Sequence, residues 1–405
     1  MNVPHYSEGA TGLMFKVILT AGSLPYKYLR YFDANLETLR KRIRAYVKDG
    51  VMTETTYFGT KEKAILLAPI KRVPEEILNS FGENVVRNYE ENCLQDRERA
   101  IHRDGDRAEK NAEAVMMMMA AEVPTAYNEK PPAAGAASLT GIEAFYSARE
   151  VKQMNPDDYA DSMTSKVLEN EIKVGRKTNK KTMGARAHGL YISDEGFGYV
   201  MYVVGSGTIQ WSTRGERAHL AYVNNRLHGR GRGVKEVSSA IFAYSKDNGL
   251  LKIFDTSKRN GYLHANDDVY EKMYFLPRER TGAAMLMMMR NGGWEEDILG
   301  ITVSEEERIR TDKAGQMCDG QAEDGTYILS FCVPDLKRLR KFYDNALIAK
   351  KWILNDNATV KPKYKVICYD FQESFVKKTF EKVACFCKIE TVPFWIVYNK
   401  FYAED

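Results

Sequence analysis

The sequence is short of the residue patterns that hold metals and nucleotides. Its six histidines, His5, His102, His188, His219, His228 and His264, include no H-x-H pair and no H-E-x-x-H. The metal cradle of rolling-circle nicking enzymes is therefore missing. Its six cysteines, Cys93, Cys318, Cys332, Cys368, Cys385 and Cys387, form no C-x-x-C pair, and Cys385 and Cys387 flank Phe386 in an apolar run. Buried, reduced thiols are expected rather than a zinc site. A G-x-x-x-x-G-K-[ST] loop is absent, which excludes a P-loop ATPase. No apolar run reaches transmembrane length, and "MNVPHYSEGATG" lacks the basic-then-apolar pattern of a signal peptide. A cytoplasmic protein without a membrane partner or a cofactor is the expectation.

What is present is ample core material and an uneven charge. The chain has 405 residues, 44% hydrophobic and 28% charged, enough for two or three packed domains. The net charge of +4 is concentrated at one end. Residues 1–72 hold 12 Lys and Arg against 6 Asp and Glu, and the rest of the chain holds 47 against 49. A surface for a polyanion is expected at the N-terminus.

That region reads as three helices and a hairpin. "TGLMFKVILTAG" is a short apolar helix, and "SLPYKYLRYF" a second, with Ser23 as a cap and Pro25 in the first turn. Asn35 is placed to cap a third, "NLETLRKRIRAYVKDG", which closes near Gly50. "VMTETTYF" and "AILLAP" are strands around a polar turn containing Gly59. On a helical wheel Leu36, Leu39, Ile43, Tyr46 and Val47 form a buried stripe. Glu37, Thr38, Lys41, Ala45 and Lys48 point away from it, with Arg42 and Arg44 at their flanks and Arg40 nearer the buried rim as a structural residue. This is the order of a winged helix-turn-helix. Helix 35–50 would enter a DNA major groove, and the wing 51–68, with Thr55, Tyr57, Lys61 and Lys63, would follow the adjacent backbone.

Downstream, "VPEEILNSFGENVVRNYEENCLQDRERAIHR" continues as helix, and "RAEKNAEAVMMMMAAEV" is a helix that buries Met116 to Met119 or turns them to a partner. "NEKPPAAGAASLTG" has the small residues and prolines of a linker. Beyond it, "AHGLYIS", "GFGYVMYVVG", "GTIQWST", "LLKIFDT", "YILSFCVPD", "YKVICYDF" and "TVPFWIVYNKF" read as strands. They are interleaved with helices such as "ERAHLAYVNNRLHG", "TGAAMLMMMRNGG", "LKRLRKFYDNALIAKKW" and "QESFVKKTFEKVACF". The expected fold class is α+β or α/β. It consists of a winged helix-turn-helix over 1–72, a helical connector over 73–127, a linker over 128–141, and a mixed α/β domain with a central sheet over 142–405.

Two further basic stretches could extend a nucleic-acid footprint. One carries Lys177, Lys180 and Lys181, and the other sets Arg230 and Arg232 between glycines that would expose backbone N–H groups to phosphate. A nuclease would need strand-end acids and a lysine around Mg²⁺. Asp255 with Lys258, and Asp370 with Glu373, are the candidates, although no acid-x-Lys pair accompanies them.

The trihelix and wing over 11–68, followed by "AFYSAREVK" and "GARAHGLYISDEGFGYVMYVVGSGTIQW", resemble the replication-relaxation family of plasmids and integrative conjugative elements of Gram-positive bacteria. The resemblance implies an N-terminal DNA-binding domain and a role in plasmid replication or mobilisation. It also permits a second domain similar to a restriction-endonuclease core. The expected function is a DNA-binding accessory of a mobile genetic element that docks on double-stranded DNA. Its partners would be a relaxase, a replication initiator or a second copy of itself. The alternatives are a winged-helix transcriptional regulator with a sensing or oligomerising C-terminal domain, and a Mg²⁺-dependent nuclease.

Overall fold

The computed structural model describes residues 9–32, 34–90, 101, 104–133, 139, 141–153, 186–205, 209–228, 234–245, 247–255, 261–308, 318–354 and 363–403. They form a mixed α/β protein with several sheets. Among them no helix is long and apolar enough to cross a membrane. The chain divides into two compact units. The first combines 1–203 with 218–237 and 278–287, and the second combines 204–217, 238–277 and 288–405.

The first unit opens with α1 (Gly9–Ala21), whose Met14, Phe15, Val17, Ile18 and Leu19 are buried. Next come β1 (Leu24–Pro25) and a 3-10 helix (Tyr26–Tyr31). "SLPYKYLRYF" is thus not the α-helix expected. Leu24 and Pro25 pair with Ile65 and Ala64 instead, and the Ser23 hydroxyl caps nothing but shares a 2.7 Å hydrogen bond with the Tyr57 hydroxyl. α2 (Leu36–Lys48) starts where expected, because the Asn35 side chain accepts the N–H groups of Glu37 at 3.0 Å and Thr38 at 3.2 Å. It is followed by Gly50 at a φ of +73°, a conformation that costs glycine little. Leu39 and Ile43 are buried to 1% exposure, whereas Leu36, in the first turn, is 37% exposed and leaves the stripe. β2 (Met52–Thr56) and β3 (Lys63–Leu67) complete an antiparallel sheet of order β1-β3-β2.

The helical stretch after Pro69 is broken. α3 (Glu75–Phe81) and α4 (Glu83–Asn88) meet at Gly82, whose φ of +87° no continuing helix can hold. α5 (Gly105–Ala120) buries Met116 to Met119 as the alanine-rich context indicated. Its first residue touches the hairpin turn. A Cβ on Gly105 would lie 2.4 Å from the Phe58 backbone nitrogen, and the Phe58 N–H donates to the Ile101 carbonyl at 2.9 Å.

The expected linker is not a solvated spacer in its described residues. Lys130 is buried, donates to the Phe145 carbonyl and pairs with Glu150 at 2.9 Å. The Tyr146 hydroxyl donates to the Pro131 carbonyl at 3.0 Å, and Leu139 is 1% exposed. This stretch belongs to the first unit, together with 1–72 and 73–127, and the units divide elsewhere. β4 (Ala144–Ser147), β5 (Gly189–Ile192) and β6 (Gly198–Val204) then form an antiparallel meander. "AFYSARE" and "ARAHG" have structural tasks in it. The Phe145 ring leaves room for no side chain at Gly189, where a Cβ would approach to 2.3 Å. The buried His188 accepts the Val203 N–H on Nδ1 at 3.0 Å, and burial lowers its pKa, keeping the ring neutral.

In the second unit β7 (Ser239–Tyr244) and β8 (Lys272–Pro277) run parallel. Between them "LLKIF" is part of a helix (Asp247–Phe254), not a strand. β10 (Tyr327–Ser330), β11 (Tyr364–Tyr369) and β12 (Cys387–Val392) are parallel, with β9 (Gly320–Gln321) antiparallel at the edge. Helices Leu336–Leu354 and Glu373–Phe380 connect them, as their 3.6-residue periodicity required. "TVPFWIVYNKF" is helical from Phe394 to Phe401, since Pro393 suits the entry to a helix and ends the strand at Val392. In the described residues of "GTIQWST", from Ile209 on, a single bridge forms, Gln210 with Tyr262. Cys332, Cys368 and Cys387 are buried and free, and burial pushes the thiols of Cys368 and Cys387 up to about 12. Cys385 is exposed, against expectation, while Cys93 lies outside the described residues.

Candidate nucleic-acid interface

The basic face of α2 and the hairpin enclose a groove of about 810 Å³. Helix α2 supplies Arg40, Ile43, Arg44, Val47 and Lys48; the hairpin supplies Glu54, Lys61, Glu62 and Lys63; the 3-10 helix supplies Tyr26 and Lys27. Six cationic side chains therefore face two carboxylates, and both carboxylates are engaged. Glu54 is ion-paired with Lys63 on the adjacent strand, and this contact raises the Lys63 pKa. Glu62 accepts the Lys27 N–H at 2.7 Å and lies 3.8 Å from the Lys27 Nζ, which also pairs with Glu109. Burial raises the Glu62 carboxyl pKa despite these contacts. Arg44 lies 3.5 Å from Glu37. Arg40, Lys48 and Lys61 have no carboxylate partner among the described residues. A concave site with this balance concentrates positive potential.

Of the residues singled out in sequence, Arg44, Lys48, Lys61 and Lys63 line the groove. Thr38 and Lys41 are exposed on α2 outside it, and Thr55 is half-buried on β2. Arg42 is exposed, but its guanidinium donates to the Thr11 hydroxyl and ties α2 to α1. Tyr57 is withdrawn as a DNA contact. It is 0% exposed, packs in a cluster with Ala64, Leu66, Ile101 and Ala108, and spends its hydroxyl on Ser23. The aromatic that the turn does present is the next residue, Phe58, at 62% exposure.

Tyr26 and Lys27 were not among the expected contacts, because "SLPYKYLRYF" reads as a capped α-helix on its local pattern. Arg40, nearer the buried rim, reads as structural. The signal was a basic and aromatic alternation between α1 and α2, which only the sheet pairing brings to the groove.

The other candidates fare differently. Lys177, Lys180, Lys181, Arg230, Arg232 and Lys258 lie outside the described residues. Asp255 ends a helix, with its N–H donating to the Leu251 carbonyl at 2.9 Å, so it is no strand-end acid. Asp370 does follow β11, but its Oδ1 accepts the N–H groups of Phe371 at 2.9 Å and Phe394 at 3.4 Å, the work of a cap. Glu373 pairs with Lys377 one helical turn on, at 2.6 Å. Among the described residues no three His, Cys, Asp or Glu side chains come together as a metal site. No family model, characterised protein or solved structure matches the chain.

Proposed function

We propose that the chain binds double-stranded DNA through its first unit, as a winged helix-turn-helix protein, and serves a mobile genetic element in plasmid replication or conjugative mobilisation. The observation that carries the DNA-binding reading is the groove between α2 and the hairpin, with six cationic side chains and two engaged carboxylates. The order helix, strand, 3-10 helix, helix, hairpin and the sheet order β1-β3-β2 support the winged-helix assignment, with α2 as the recognition helix. The mobile-element setting rests on the sequence resemblance alone, and with it a relaxase or replication initiator as partner. A restriction-endonuclease-like second unit with Mg²⁺ chemistry draws no support from Asp255 or Asp370, given where they sit.

The test separates the faces of α2 in the full-length protein. Lys41→Ala combined with Lys48→Ala removes one charge that lines the groove and one exposed beside it, and leaves Leu39 and Ile43 in place. The melting temperature should hold, since exposed substitutions shift stability by only about 0.5 kcal/mol either way. Affinity for duplex DNA should fall, and the slope of log K against log salt should shrink by up to about 2. Wild-type binding at every salt concentration would show that the basic face is merely solvated.

A further inference from the structure

Arg40 differs from the other cations of the groove. Its Nε is buried and has no hydrogen-bond partner among the described residues. Its guanidinium carbon lies 5.9 Å from the centroid of the Tyr26 ring, and both side chains line the groove. A guanidinium resting on an aromatic face is held flat and oriented, yet a buried N–H without an acceptor weakens the folded state. The two carboxylates of the groove do not supply that acceptor, since Glu54 is bound to Lys63 and Glu62 to Lys27. Lys48 and Lys61, which line the same groove, have no carboxylate partner among the described residues. Arg40 as a whole is only half-buried and lines the groove, where no described carboxylate engages its guanidinium, so an anionic oxygen from outside can meet its terminal nitrogens. A tetrahedral phosphodiester suits it, because the guanidinium edge meets two of its oxygens in a bidentate pair.

We propose that Arg40, oriented by Tyr26, is the anchoring site for one backbone phosphodiester of the bound DNA. The assignment rests on the DNA-binding reading of the groove. It turns a residue of the helix rim from a structural cation into a ligand-binding one.

Three full-length variants test it: Arg40→Met, Arg40→Lys and, as comparator, Lys48→Ala. Each is melted, then titrated with a labelled duplex across a salt series, with and without inorganic phosphate at matched ionic strength. Arg40→Met should melt at or above the wild-type temperature, because it removes the orphaned donor and keeps an apolar stem on Tyr26. It should still bind the duplex roughly tenfold more weakly, with a salt slope smaller by about 1. Arg40→Lys should keep the slope but lose several-fold in affinity, since an ammonium cannot form the fork. An Arg40→Met protein that melts lower and binds like wild type would make Arg40 structural and overturn the proposal. Weaker binding in Lys48→Ala alone would leave the groove reading intact and remove the phosphate anchor. Inorganic phosphate that raises the wild-type melting temperature but not that of Arg40→Met, without competing with DNA, would mark a small-anion site and also overturn it. Absence of salt-dependent binding by the wild type would instead defeat the DNA-binding reading itself.

Discussion

Glu113→Ala should destabilise the protein by about 3–5 kcal/mol, the cost of stranding one member of a buried ion pair. Glu113 sits on α5 with its side chain fully buried, and its partner Arg278 is 6% exposed. The Arg278 Nε donates to Glu113 Oε1 at 2.6 Å, and a terminal nitrogen donates to Oε2, a bidentate pair. Tyrosines close the network. The Tyr31 hydroxyl reaches Glu113 at 3.3 Å, and that of Tyr28 accepts from Arg278 and donates to Glu109 at 3.1 Å. Burial raises the Glu113 carboxyl pKa against the pull of Arg278. Burial also disfavours the Arg278 charge, but Glu113 outweighs it and Arg278 stays above its ordinary value. The alanine variant takes the bidentate carboxylate away from that buried guanidinium. Glu113→Leu joined with Arg278→Met should recover most of the loss, because a buried pair replaced by apolar groups of similar volume is often near neutral. Thermal and denaturant melts of the single and double variants decide it. A Glu113→Ala melt within about 0.5 kcal/mol of wild type would mean the pair is solvated.

Ile43→Ala carries the second large effect. Ile43 is 1% exposed under α2, and truncation there opens a cavity worth roughly 2–5 kcal/mol. Leu36→Ala, two turns earlier on the same side of α2 but 37% exposed, should shift the melt far less. Neither variant alters a charge, so the salt slope of DNA binding should be unchanged wherever the protein remains folded. If both melts match wild type, α2 does not pack through the face that the wheel and the burial agree on.

These two variants also show what could be read from the sequence. α2 was legible almost whole, because an Asn cap, a 3.6-residue stripe and a closing glycine all acted within one local stretch. The hairpin was legible for the same reason. The same helical wheel misplaced Leu36 because an end turn has no neighbour to cover it. Tyr57 was misassigned because strand alternation tells which side chains share a face, not which face a later helix will cover, and here α5 and Ile101 cover it. The Glu113–Arg278 pair spans 165 positions and no local pattern could announce it. "LLKIF" and "TVPFWIVYNKF" were read as strands because short apolar runs fit a buried helix equally well, and tertiary context decided. The candidate site was half legible. Arg44, Lys48, Lys61 and Lys63 follow from charge and hairpin register, and Arg40 lies one turn before Arg44 on α2, but Tyr26 and Lys27 join them only through the pairing of β1 with β3.

The central claim is that the groove beside α2 receives a DNA backbone, and one titration tests it most directly. Full-length wild-type protein is bound to a labelled duplex from about 50 to 200 mM salt, and log K is plotted against log salt. Arg40, Arg44, Lys48 and Lys61, together with the outward Lys41, predict a straight line of slope about −3 to −5. A flat line, or no binding at the lowest salt, would contradict the account.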